Sequence, residues 1–301
     1  MVNYPKWNEV SYAGENTPPK NVETPYAESW NMYFLKREDQ KFYTVSGKPV
    51  HFSIRHPDTI NWSEELKKVQ HVLENLTPHQ KQIATYWSEG PATKQWTPVI
   101  DKLIDAYGVE APRAGRMLAA LQAAMNDAFV VAWYYKFRWL VARPNQLDQT
   151  MHTFICTPRH PSYPSGHATV AGAAEVILAY FFPAERQKFK KLAKECADSR
   201  LYAGVHFPID NIEGLKLGRE IGKVVVLQLK EEFDSEGNPI DTPYRRPVAI
   251  DLPPPPYTQA LPFDYDINCD SLIMCENASC SNCKDYPQHN LSKPAPPKLF
   301  Y

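Results

Sequence analysis

Apolar residues recur at helical spacing through the middle of the chain, and seven helices are expected there: 63–75, 77–88, 97–107, 112–143, 168–182, 184 to about 202, and 209–232. Start signals support several of them. Ser63 precedes Glu64 and Glu65, Thr77 is followed by Pro78 and Thr97 by Pro98, while Pro144 and Pro183 act as stops. Residues 1 to about 60 are different, rich in Pro, Tyr, Asn and Gly, with short alternating pieces such as Lys41-Phe42-Tyr43-Thr44-Val45. They are expected to wrap a core built elsewhere. After residue 232 the chain holds 12 of its 28 prolines, including Pro253 to Pro256, and four of its six cysteines. Such a segment suits an extended strap or linker. The pattern predicts an all-α helical bundle (63–232) with an irregular N-terminal extension (1–62) and a Pro-rich, Cys-containing C-terminal tail (233–301).

Composition narrows the function classes. At 301 residues and 43% hydrophobic content a sizeable core is within reach. Lys plus Arg (33) nearly balances Asp plus Glu (34), so no global field draws the protein to nucleic acid or to an anionic membrane. An anion site must therefore be a local concentration of charge. The start lacks a basic stretch followed by an apolar run, which favours a cytoplasmic setting unless a leader has been removed. The longest apolar run, 168–182, contains Glu175 and falls short of the roughly 20 residues that span a bilayer.

Three short segments carry candidate chemistry. On the long expected helix Lys136 and Arg143 are seven residues apart, which places them about 20° apart around the axis and roughly 10 Å apart along it. Their neighbours Trp133, Trp139, Leu140 and Val141 are apolar, so the two charges are expected to face inward and to need a counterion. The second segment, Pro161-Ser162-Tyr163-Pro164-Ser165-Gly166-His167, runs straight into an apolar helix. Ser165 suits the N-cap, the Gly166 amide points out of the helix start toward an anion, and His167 in the first turn is placed to move a proton. In the third segment Arg200 adds a cation, and Asp210, four residues after His206, suits a carboxylate that orients an imidazole.

Taken together, Lys-x6-Arg-Pro, Pro-Ser-Gly-His and Ser-Arg-x5-His-x3-Asp resemble the signature of the superfamily that joins vanadium-dependent haloperoxidases, type-2 phosphatidic acid phosphatases and bacterial class A acid phosphatases, over about residues 120 to 215. The resemblance implies that Lys136, Arg143, Arg200, Ser165 and the Gly166 amide hold the oxygens of vanadate or phosphate, with His167 also at the anion. His206 would bond to the central atom, either as the one protein ligand to vanadium or as the nucleophile that forms a phosphohistidine. His167 would be the general acid, Asp210 the partner of His206, and Lys136 the group that polarises peroxide. Trp133 and His160 are similar to haloperoxidase positions, and a His at 160 favours bromide or iodide over chloride. The implied cofactor is vanadate, whose site phosphate also fits. The implied partners are small molecules: hydrogen peroxide, halide and an organic acceptor, or a phosphate ester. Related enzymes also make a homo-oligomer a reasonable expectation. The alternatives are a soluble acid phosphatase acting on monoesters and, from another class, a non-catalytic oxyanion-binding protein, which has no need of both His167 and the His206/Asp210 pair.

Cys269, Cys275, Cys280 and Cys283 lie within fifteen residues and suit disulfides, a structural metal or free thiols, with Cys156 and Cys196 expected to be core or helix residues instead. Asp127, on the far side of the long helix from Lys136, is expected to bond an adjacent helix.

Overall fold

The computed structural model describes residues 4–261 and 269–274. Its eight α-helices are α1 (Trp62–Glu74), α2 (Pro78–Ser88), α3 (Thr97–Tyr107), α4 (Ala111–Trp139), the single turn α5 (Pro144–Leu147), α6 (Gly166–Phe181), α7 (Arg186–Tyr202) and α8 (Pro208–Leu229). Local chemistry sets their ends. Asn61 accepts from the Glu64 amide at the start of α1, Thr77 and Gln80 form a reciprocal capping box before α2, and Gly108 takes a left-handed φ of 60° to close α3.

Helix α6 is apolar on nearly every side, which places it at the centre, packed against α4, α7 and α8. Around it Leu121, Val131, Ile177, Phe181, Phe189, Ile221 and Val225 form the core, continuous with the Trp87–Trp96 pair of the α2–α3 side. Helix α8 lies unusually close to α6 because Gly214, Gly218 and Gly222, one per turn, face Ser165, Thr169 and Ala173, while Gly172 answers from α6 against Leu215. The order of these contacts shows that the two helices run parallel, with the start of α6 beside the first two turns of α8.

Residues before α1 form a strap that includes three short antiparallel strands, β1 (Leu35–Glu38), β2 (Lys41–Thr44) and β3 (Pro49–Val50), in the order β1-β2-β3. Leu35 of β1 and Phe42 of β2 are buried in the core of the bundle. Asp127 does not bond a neighbouring helix as expected: its buried carboxylate accepts from the backbone amides of Tyr33, Phe34 and Leu35 and so anchors the strap to α4. On the other side of the bundle the proline run continues as a second strap, held by Tyr257 on Glu195 and by Gln259 on the Tyr86 carbonyl.

The cysteine expectation needs correction. Cys269 is bonded to Cys156, 113 residues away, and not to a neighbour in the tail cluster. Cys156 sits in the loop before α6, where Thr153 donates its amide to Leu272 and Met274 donates to Thr153, which lays residues 269–274 alongside it. Spacing cannot reveal a partner brought in by tertiary pairing. Cys275, Cys280 and Cys283 lie outside the described residues, and Cys196 is a buried free thiol in α7. Among the described residues no helix is long and apolar enough to cross a membrane.

Candidate active site

The start of α6, beside the first turns of α8, is the centre of the site. Ser165 donates its amide to the Asp210 carbonyl (3.0 Å) and its hydroxyl caps α6 through the Ala168 amide (3.3 Å). Two parallel helices therefore present their N-terminal amides and positive dipole ends to one region, which favours an anion there. Gly166 stands at the lip of this region, where a Cβ would come within 3.2 Å of the Trp133 ring and 3.8 Å of Lys136 Cε.

Three cations converge from separate elements. Lys136, fully buried, projects from α4 and donates to the Pro161 and Ser162 carbonyls at 2.6 and 2.8 Å. Arg143 is also fully buried, but it is not on the same helix. Helix α4 ends at Trp139, Leu140 turns the chain with a φ of 54°, and Arg143 leaves an extended segment just before α5. The shared helical face expected from the seven-residue spacing is thus replaced by a chain reversal, and the two groups meet by tertiary packing. Arg143 donates to the carbonyls of His160 (3.0 Å) and Val205 (2.7 Å), to His206 Nε2 (2.9 Å) and to His160 Nδ1 (3.1 Å). Arg200, in the last turn of α7, reaches the Ser88 hydroxyl at the end of α2 (2.6 Å).

Carbonyl and hydroxyl partners satisfy these N–H groups but do not cancel their charge. The buried carboxylate beside them is Asp210. Its Oδ2 accepts from His206 Nδ1 (2.8 Å), the Ser162 hydroxyl (2.5 Å) and the Phe207 amide (3.1 Å). With its proton held on Nδ1, His206 keeps the lone pair on Nε2. His167 is hydrogen-bonded to the Trp87 backbone, and its buried Nε2 has no partner among the described residues. Asp210 Oδ1 is likewise without a partner among them.

Electrostatics follow from burial among like charges. Lys136 is held well below its usual pKa, first by desolvation and then by Arg143. His160, His167 and His206 are also pushed well down, each chiefly by desolvation and then by the surrounding cations. Burial raises the Asp210 carboxyl to about 6, against the pull of Ser162 and Lys136. A tetrahedral oxyanion bearing two or more charges fits this donor set: it would offset the three cations, receive the helix-end amides and give His167 Nε2 a partner. A cluster of His, Cys, Asp or Glu suited to a metal cation is not found among the described residues.

Trp133, Lys136, Arg143, His160, Ser165, Gly166, His167, Arg200, His206 and Asp210 come together here, whereas Asp127 and the described cysteines do not. Trp133 is 5% exposed, and His160 is no surface loop residue but is 7% exposed, with its ring 4.7 Å from that of Trp133. Sequence reasoning missed Ser162, Ser88, Trp87 and Glu23. Ser162 carried a faint signal, being a hydroxyl inside the Pro-Ser-Tyr-Pro-Ser-Gly-His segment. Ser88 and Glu23 carried none, because only tertiary packing brings them in.

Residues 116–234, which contain Trp133, Lys136, Arg143 and every later site residue, match the PAP2 superfamily. They form a PAP2 superfamily domain. Lipid A 1-phosphatase from Rhizobium johnstonii is 37% identical to the chain over 127 residues, 35% of this chain and 52% of that protein. Vanadium-dependent bromoperoxidase from Corallina officinalis is 34% identical over 92 residues, 22% of this chain and 15% of that one. The chain thus spans about half the length of the first relative and less than a sixth of the second. Among solved structures, a bacterial vanadium-dependent iodoperoxidase superposes with a TM-score of 0.58 at 24% identity, over 75% of this chain and 62% of that one. A bacterial vanadium-dependent chloroperoxidase gives 0.55 at 17% identity, over 76% and 62%. At such identities the likeness establishes the PAP2-type helical fold that extends around the domain.

Proposed function

We propose that the protein is a vanadium-dependent haloperoxidase that uses hydrogen peroxide to oxidise halide, with bromide or iodide favoured. The observation that carries this reading is the Trp133–His160 pair inside the cradle. His160 is buried, accepts from Arg143 and lies against Trp133, which itself lies 5.8 Å from the Lys136 ammonium. Phosphoryl transfer through His206 and His167 has no evident use for this extra imidazole.

Bound vanadate would supply a Lewis-acid centre at which peroxide becomes electrophilic toward halide. His206 would hold it through Nε2, oriented by Asp210 and Ser162. Lys136, Arg143, Arg200, the Ser165 hydroxyl and the Gly166 amide would hold its oxygens, with Lys136 drawing electron density from the oxygen that halide attacks. His167, neutral because burial and Arg200 oppose its protonation, is suited to taking a proton from peroxide and returning it. Peroxide, halide and an organic acceptor are then the small-molecule partners.

Identity to a lipid A 1-phosphatase over 127 residues supports a second reading, phosphomonoester hydrolysis by the same groups. His206 Nε2 would attack phosphorus, His167 would protonate the leaving oxygen, and water would hydrolyse the phosphohistidine. The test is bromination of a dye acceptor by phosphate-stripped protein given peroxide and bromide, with and without orthovanadate, and with His206→Ala as control. Turnover that requires both vanadate and His206 is the expected result. Absence of bromination together with vanadate-inhibited cleavage of a phosphate monoester would overturn the haloperoxidase reading in favour of the phosphatase.

A further inference from the structure

The N-terminal strap reaches the solvent side of the Trp133–His160 pair and places a carboxylate there. Glu23 is pinned at both ends of its peptide unit, donating its amide to the Arg159 carbonyl (2.9 Å) and accepting at its own carbonyl from Trp133 Nε1 (3.4 Å). Its side chain is 58% exposed and lies 3.8 Å from His160 Nε2, too far for a hydrogen bond. The charge is therefore directed at the site without being consumed by a close partner. The strap is also clamped nearby, where Arg159 makes a two-pronged ion pair with Glu15 and covers the Tyr12 ring.

The backbone on either side of Glu23 is unusual. Asn21 has a φ of 55° and Thr24 a φ of 40°. A left-handed conformation is tolerated by Asn but is costly for a β-branched Thr, and such strain persists where the surrounding structure needs a particular side-chain position. Between these two residues sits the carboxylate that faces the cradle.

We infer that Glu23 is a specificity-determining residue, an entrance carboxylate that admits neutral peroxide and singly charged halide while disfavouring phosphate and phosphate-ester dianions. The inference rests on the oxyanion-site reading and deepens it by naming what the site selects. Lys136 and Arg143 both lie within electrostatic range of Glu23, so the carboxylate weakens the field that an incoming anion meets. Repulsion grows with ligand charge and is absent for a neutral molecule. The same three cations can then hold an oxyanion already in place and still not draw in every phosphate ester.

The test is calorimetric binding of inorganic phosphate at pH 8 to the full chain and to Glu23→Asp, Glu23→Gln and Glu23→Lys. Asp should bind like the parent, Gln about fivefold to tenfold tighter and Lys tighter still, on the order expected for one like charge near the entrance. The gains should shrink in 0.5 M salt, where the Debye length is about half that at 0.15 M, because an exposed charge is screened. Cleavage of p-nitrophenyl phosphate, where measurable, should rise in the same order. Parent, Gln and Lys proteins with equal phosphate affinity, or a loss in both variants, would overturn the role of Glu23 while leaving the oxyanion site standing. Failure of the parent protein to bind phosphate would overturn the oxyanion reading and this inference with it.

Discussion

The contact between α6 and α8 makes a sharp prediction for Gly218→Ala. A Cβ built on Gly218 falls 1.9 Å from the Thr169 carbonyl oxygen, 2.8 Å from its carbon and 2.9 Å from the Ala173 nitrogen. All three are backbone atoms of α6, so no side chain can swing aside. Restoring ordinary contact requires the helices to separate by about 1.5 Å. Alanine is the better helix former by about 1 kcal/mol, which opposes the damage, whereas overpacking of this kind costs about 1–3 kcal/mol and more where backbone must move. The net expectation is a loss of about 1–2 kcal/mol in urea unfolding followed by circular dichroism. The functional loss should be larger. Separation at Gly218 draws the Ser165–Gly166–His167 turn away from His206 and Asp210 and breaks the Ser165–Asp210 hydrogen bond, and misplacement of about 1 Å costs on the order of 100-fold in turnover. Gly115→Ala is the control: it is an exposed residue of α4 whose Cβ would meet nothing within 4 Å, and it should gain about 0.5–1 kcal/mol. If Gly218→Ala is as stable as the control and binds phosphate like the parent, the close helix contact does not set the site geometry.

Three further outcomes are expected. His167→Ala should lose about 10²- to 10⁴-fold in turnover with phosphate affinity within a few-fold of the parent, if its Nε2 has the proton-transfer role proposed above and the cations supply the main charge; full turnover would remove it from the chemistry. Phosphate binding near pH 7 should take up about one proton, seen as a binding heat that depends on the ionisation enthalpy of the buffer: an anion relieves the repulsion and burial that hold Lys136 and the three histidines low, so their pKa values rise on binding and affinity falls as pH increases; binding without proton uptake would show that these groups are not depressed in the free protein. Cys269→Ser should cost about 2–4 kcal/mol in denaturant unfolding, because the bridge closes a long loop of 113 residues; an unchanged midpoint would deny it a part in stability.

Much of this structure is legible in the sequence where local rules suffice. The helices α1, α2, α3, α6 and α7 are announced by apolar spacing and by caps such as Thr77 and Ser165, although α1 is capped by Asn61 and not by the Ser63 that signals its start, and the three charged segments meet in one region. The misreadings share one cause. Nothing local announces that Leu140 would adopt a left-handed φ and end α4 four residues before Arg143, since the apolar pattern runs on through Val141 and Ala142. Cys156 and Cys269, Ser88 and Arg200, Asp127 and the strap amides, and Glu23 and His160 are each joined by packing between segments distant in the chain. Spacing within a segment carries no information on such pairs.

The bond between Cys156 and Cys269 has a topological consequence. It closes a covalent ring that includes His160, Ser165, Gly166, His167, Arg200, His206 and Asp210, while Lys136 and Arg143 enter from the chain outside it. A single protease cut in the exposed turn 233–239 would open that ring yet leave both fragments tethered, so the cleaved protein would migrate as one species until reduced.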